Sequence, residues 1–122
     1  MKLLYLFFFI PLLFSYQKKI IQLSSKEVII SDIGKIGFSY QEIKSISKEF
    51  SVEKKFLTSC IYVKSKDETI CYPINDRTFN YDNYQKYHSS NKLSNFKARI
   101  FYKTKTINSQ KISLVFNMEI LQ

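Results

Sequence analysis

The chain opens on an unbroken apolar run, Leu3 to Phe14, with one charge before it at Lys2 and a polar switch after it at Ser15, Gln17, Lys18 and Lys19. A charged start, a short greasy centre and a small residue at the switch form the pattern of a secretory signal peptide. The twelve apolar residues fall short of the roughly 20 that a bilayer span requires. The expected organisation is therefore a signal peptide over 1–15 and a single secreted β-rich domain over 16–122.

Beyond this leader the apolar positions follow a period of two, which half-buries a strand. Lys18 to Leu23 and Glu27 to Ile33 are Ile/Val-rich runs parted by Ser24, Ser25 and Lys26. Ile36, Phe38 and Tyr40 alternate with Lys35, Gly37 and Ser39, and Gly34 marks a turn before them. Phe50, Val52, Phe56, Cys60 and Tyr62 share the even face of a longer run. One stretch breaks the period. Ser39 and Glu42 have the spacing of a capping box, and Ile43, Ile46 and Phe50 recur at three and four residues, which a strand would throw onto opposite faces. A short helix is expected near 40–49.

Two C-terminal hairpins can be set in register from the pattern. Placing Cys60 against Cys71 pairs Ile61 with Ile70 and Val63 with Glu68, leaving Lys64 to Asp67 as the loop. Leu57, Ile61, Val63, Ile70, Tyr72 and Ile74 then share a core face, with the cysteines opposite it. In the second hairpin, Phe96 to Thr106 and Lys111 to Leu121 flank Asn108-Ser109-Gln110. A three-residue loop pairs Thr104 with Leu114, Tyr102 with Phe116, Ile100 with Met118, Ala98 with Ile120 and Arg99 with Glu119. The runs amount to about seven strands, and the fold class is all-β, or α+β if the helix near 40–49 forms. The expected architecture is a small antiparallel β-sandwich, or a barrel-like sheet, with one disulfide. An immunoglobulin domain is disfavoured: its bridge joins two sheets beside a core Trp, whereas these cysteines are local and the chain has no Trp.

The formal charge of +9 invites a polyanionic partner. Only Arg77 and Arg99 among the basic residues are arginine, however, and the abundance of Lys, Ile, Asn, Tyr and Phe beside a single alanine, Ala98, follows A/T-rich codons. Arginine is the residue suited to planar phosphate recognition, so a nucleic-acid partner is disfavoured. Cys60 and Cys71, the only cysteines, read as a disulfide in an exported chain. With His88 the sole histidine, neither a tetrahedral metal site nor a two-histidine acid–base pair is expected, no nucleophile elbow exists, and no cofactor is implied. The chain reads as non-enzymatic.

Two candidate binding surfaces remain. The segment 76–95 carries Phe79, Tyr81, Tyr84 and Tyr87 among Asn and Ser residues, the composition that recognition loops use against proteins, in a connection long enough to suggest function. An extracellular protein partner is expected there. The alternative is an electrostatic binder of acidic glycan, nucleic acid or an anionic membrane surface, through Lys97, Arg99, Lys103 and Lys105 around Phe101 on the outer face of the last hairpin.

Overall fold

The structure, a computed structural model, describes residues 23–85 and 95–121. The leader and the 18–22 part of the first strand-like run lie outside these residues. The elements follow in the order β1 (Ser24–Lys35), α1 (Tyr40–Phe50), β2 (Ser59–Ser65), β3 (Glu68–Pro73), β4 (Phe96–Ile107) and β5 (Gln110–Leu121), with a 3-10 turn at Lys54–Phe56 and helical backbone at residues 81–85. The predominantly antiparallel class, the helix and the Cys60–Cys71 disulfide all form.

The strands make one sheet in the order β3-β2-β1-β4-β5. Three successive antiparallel neighbours with a fourth strand returning beside the first is the Greek key. The sheet also curls on itself. Ile74, just past β3 at one edge, bridges in parallel to Val115 of β5 at the other, and Asn75 N–H donates to Val115 O at 2.8 Å. Of the two expected architectures, the barrel-like sheet is the one formed: a partly open, five-stranded Greek-key barrel.

Long β1 makes the curl possible. Its first half pairs only with β4 (Ser24↔Tyr102 to Val28↔Ala98), and its second half pairs with β2. Between Ile30↔Val63 and Asp32↔Tyr62 the register shifts by one residue, Ser31, whose hydroxyl donates to Tyr62 O at 3.0 Å. Such a bulge bends and twists the strand and turns both Ile30 and Ile33 inward. The barrel core is then Ile30, Ile61, Val63, Ile74, Phe79, Phe96, Ala98, Ile100, Val115 and Met118.

β5 carries a second bulge. Ile100↔Met118, Arg99↔Glu119 and Ala98↔Ile120 pair as expected, but nearer the turn the pairs are Tyr102↔Val115, Lys103↔Leu114 and Thr104↔Ser113, not Tyr102 with Phe116 or Thr104 with Leu114. The turn has two residues, Asn108 and Ser109, both at positive φ (50° and 65°), the type I′ geometry that matches strand twist. Phe116 is the extra residue that restores register. The bulge turns Val115 into the barrel while Leu114 and Ile112 face outward, where Ile46 and Leu57 join them in a second core. β5 therefore serves an apolar cluster on each of its two faces.

The strand expected through Ile36, Phe38 and Tyr40 does not form. Ser39 caps α1 through the expected box: its hydroxyl accepts from Glu42 N–H, and the Glu42 carboxylate accepts from Ser39 N–H at 2.9 Å. Two donors satisfied at once, and an apolar stripe of Ile43, Ile46 and Phe50 with somewhere to pack, outweigh a three-residue alternation. Phe50 to Phe56, also expected as strand, is helix end and 3-10 turn, and Gly34 lies within β1.

Candidate functional site

The disulfide joins neighbouring strands, but not directly opposed residues. Cys60 faces Pro73, and Cys71 faces Tyr62, with the cysteine Cα atoms 5.5 Å apart. The hairpin loop is the pair Lys66-Asp67 and not Lys64 to Asp67, because Lys66 adopts φ 56° and Ser65 pairs with Glu68. The register shift is two residues, so the side chains within β2 and β3 keep their expected faces, whereas Leu57, which precedes β2, packs in the second core and not with Ile61 and Val63. The loop between β1 and β2 crosses this face. A Cβ on Gly37 would lie 3.4 Å from the Tyr62 hydroxyl and 3.7 Å from the Cys71 sulfur.

The described part of the tyrosine segment, residues 76–85, packs against the barrel core. After Asn75, Thr78 Oγ1 donates to Phe116 O at 2.7 Å and Asn80 N–H donates to the Asn117 side chain at 3.1 Å. The carbonyl freed by the β5 bulge and the side chain beside it thus anchor the 78–80 backbone. As a partner-binding residue Phe79 is corrected: it is 7% exposed, within the barrel core. Tyr81 packs against it at a 58° tilt with ring centroids 4.7 Å apart and donates to Asp76 Oδ1 at 2.5 Å. The other Asp76 oxygen accepts from Thr58 N–H and Oγ1, so this carboxylate ties the cap to the chain entering β2. Burial, then the Asp76 carboxylate, push the Tyr81 phenol well above its ordinary range. Tyr84, in the helical residues 81–85, sets its ring 5.8 Å from that of Phe96. Both tyrosines are half-buried against the core. Tyr87 and His88 lie outside the described residues.

The basic strip is largely engaged within the fold. Lys97 and Arg99 flank Glu27 at 3.0 and 3.3 Å, and Arg99 also reaches Glu119 at 3.7 Å. Lys97 foremost, with Arg99, holds the Glu27 carboxyl below its usual range. Lys105 donates to Glu49 O at 2.7 Å and sits 5.6 Å from the centre of the Phe50 ring. A cation on the last carbonyls of a helix satisfies a terminal acceptor and complements the dipole, which makes Lys105 an anchor for α1. Lys103 is half-buried opposite Leu114. Fourteen of the nineteen basic residues but all ten acidic ones are among the described residues, which therefore carry only +4.

A different surface gathers cations on rings. Tyr40, at the start of α1, is the most exposed large apolar side chain among the described residues, at 64%. Lys54 Nζ lies 5.3 Å from its ring centre and 3.3 Å from its hydroxyl. Beside it in the chain is Phe56, over which Lys55 and, from beyond β3, Arg77 lie at 5.2 and 5.9 Å. Among the described residues, Lys55 alone of these cations has an acidic partner, Glu53 at 3.4 Å, in a largely exposed pair. The 3-10 turn Lys54–Phe56 joins the two halves into a cation–aromatic ridge on the β1–β2 connection. The alternation did not mark the ridge, because Phe56 reads there as part of a strand and Arg77 lies far along the chain; the cluster Lys54-Lys55-Phe56 is its one local signal.

The described residues thus define a partly open Greek-key barrel with a cationic ridge on its first connection. Among them, no helix is long and apolar enough to cross a membrane, and no group of three or more His, Cys, Asp or Glu residues could hold a metal ion. Comparison with protein-family models, curated proteins and solved structures finds no match to this chain.

Proposed function

We propose that this chain is an exported, non-enzymatic binding domain whose ligand is an acidic glycan, engaged by the ridge Tyr40, Lys54, Lys55, Phe56 and Arg77. The observation that carries the reading is the placement of three cations over two accessible rings, two of them without an acidic partner among the described residues. Cations grip sulfate or carboxylate groups, and ring faces give flat apolar contact. Five-stranded partly open barrels use the β2–β3 face and the β1–β2 connection for oligosaccharides and oligonucleotides, an analogy of fold alone. Scarcity of arginine favours glycan over nucleic acid.

The test is binding to a sulfated glycan across a salt titration. Lys54→Glu is expected to weaken binding about tenfold, against little change for the charge-matched Lys111→Glu on the far hairpin, and binding is expected to fall with salt. Equal effects of the two reversals, or binding indifferent to salt, would remove the ridge from the reading. Protein recognition through 76–95 is a second reading, supported by the partial exposure of Tyr81 and Tyr84. It expects Tyr84→Ala to weaken capture of an extracellular protein while leaving glycan binding unchanged.

A further inference from the structure

Lys26 is an inward-facing cation. It pairs with Ile100 across β1–β4 and shares the core face with Val28 and Ile30, yet among the described residues it makes no ion pair. Its Nζ donates to the Tyr72 hydroxyl at 3.0 Å and lies 4.8 Å from the Tyr72 ring centre and 5.1 Å from that of Tyr102. An ammonium carries three donors, and one is used. Beside it, the first half of β1 leaves the β2–β3 hairpin and opens a cleft of about 410 Å³, walled by Val28 and Val63, with Lys64 and Lys97 at its rim. The volume lies within the range of small-ligand sites, roughly 300–1,000 Å³. Its one carboxylate, Glu27, is held by Lys97 and Arg99.

We infer that this cleft is a ligand site, distinct from the ridge, for an oxyanion borne on a compact ring-sized body. Lys26 Nζ–H and the Tyr72 hydroxyl take the oxyanion, Lys64 adds charge at the rim, and Val28 and Val63 cover the body. Two tyrosine rings hold the ammonium so that little side-chain entropy is lost on binding. Carboxylate and sulfate present the same chemistry to this pair.

Benzoate and phenyl sulfate, with benzamide as the uncharged counterpart, are the probes. Amide shifts of the isotope-labelled protein, made with its own N-terminus in an exporting host, report where each binds. Both anions are expected to shift Lys26, Val63, Ser65 and Tyr72 while the ridge stays still, and benzamide is expected to bind at least about tenfold more weakly. A preference between the two anions identifies the group the site favours. Lys26→Met should weaken both anions about tenfold. Should that variant unfold, Tyr72→Phe, which keeps the ring and removes the hydroxyl, is expected to weaken them as well. Benzamide binding as tightly as benzoate, shifts centred on Tyr40 and Phe56, or absence of binding by either anion would overturn the site.

Discussion

Single residues carry conformational stress that sequence statistics would place on glycine. Ser51 after α1 and Ser109 in the last turn sit at φ 55° and 65°, where a Cβ crowds the backbone at a cost of about 1–2 kcal/mol. Ser51→Gly and Ser109→Gly are each expected to stabilise the protein, by about 0.5–1 kcal/mol after glycine's own entropy loss, and denaturant midpoints check both. Tyr81 makes the opposite kind of contribution, tied to pH. The fold raises its phenol pKa, so above the unfolded value of about 10 the native state keeps a proton that the unfolded chain releases, and stability falls as pH rises. Tyr81→Phe removes that proton. The variant is expected to lose stability less steeply above about pH 10, while losing its bond to Asp76 at every pH. Identical slopes for the two proteins would place the alkaline sensitivity elsewhere.

At the scale of elements, β5 shows how a bulge lets one strand serve two cores. Val115 and Met118 face the barrel, and Leu114 and Ile112 face α1. Leu114→Ala is expected to cost about 2–5 kcal/mol, the range for a fully buried leucine, and amide exchange should show α1 losing protection before the barrel strands do. Phe116 is only half-buried at the margin of the second core, so Phe116→Ala is expected to cost less than Leu114→Ala. Uniform loss of protection, or a costlier Phe116→Ala, would mean that the two clusters unfold as one or that the bulge is misplaced. Lys105 links the same elements from outside, covering Phe50 and the carbonyl of Glu49.

For the molecule as a whole, the barrel is closed by small devices: the bridge at Ile74, the cap held by Asp76, and the disulfide within the β2–β3 hairpin. The cysteines are 11 residues apart, and a loop of that length contributes roughly 3 kcal/mol by restricting the unfolded chain. Reduction is expected to lower the melting temperature markedly without changing the strand pairing of the folded state. A melting curve that is unmoved by reductant would mean that the unfolded chain is already restrained there. Of the +9 of the whole chain, the described part carries only +4. Both proposed binding surfaces are small groups of placed cations.

By itself the sequence determined the elements whose signals are local. The capping box of α1, the alternation of β4 and β5, the far half of their register and the nearness of the two cysteines all follow from neighbours along the chain. Tertiary structure decided whatever depends on bulges and on meeting distant chain. Ser31 and Phe116 each shift register by one residue and redirect the side chains beyond, and nothing in the alternation marks where a strand will bend to close a barrel. The tyrosine segment read as a surface because its composition is polar, yet the open end of the barrel needed covering and Phe79 and Tyr81 were near enough to do it. The ridge and the Lys26 cleft bring together residues from separate elements, so they exist only once the sheet has curled.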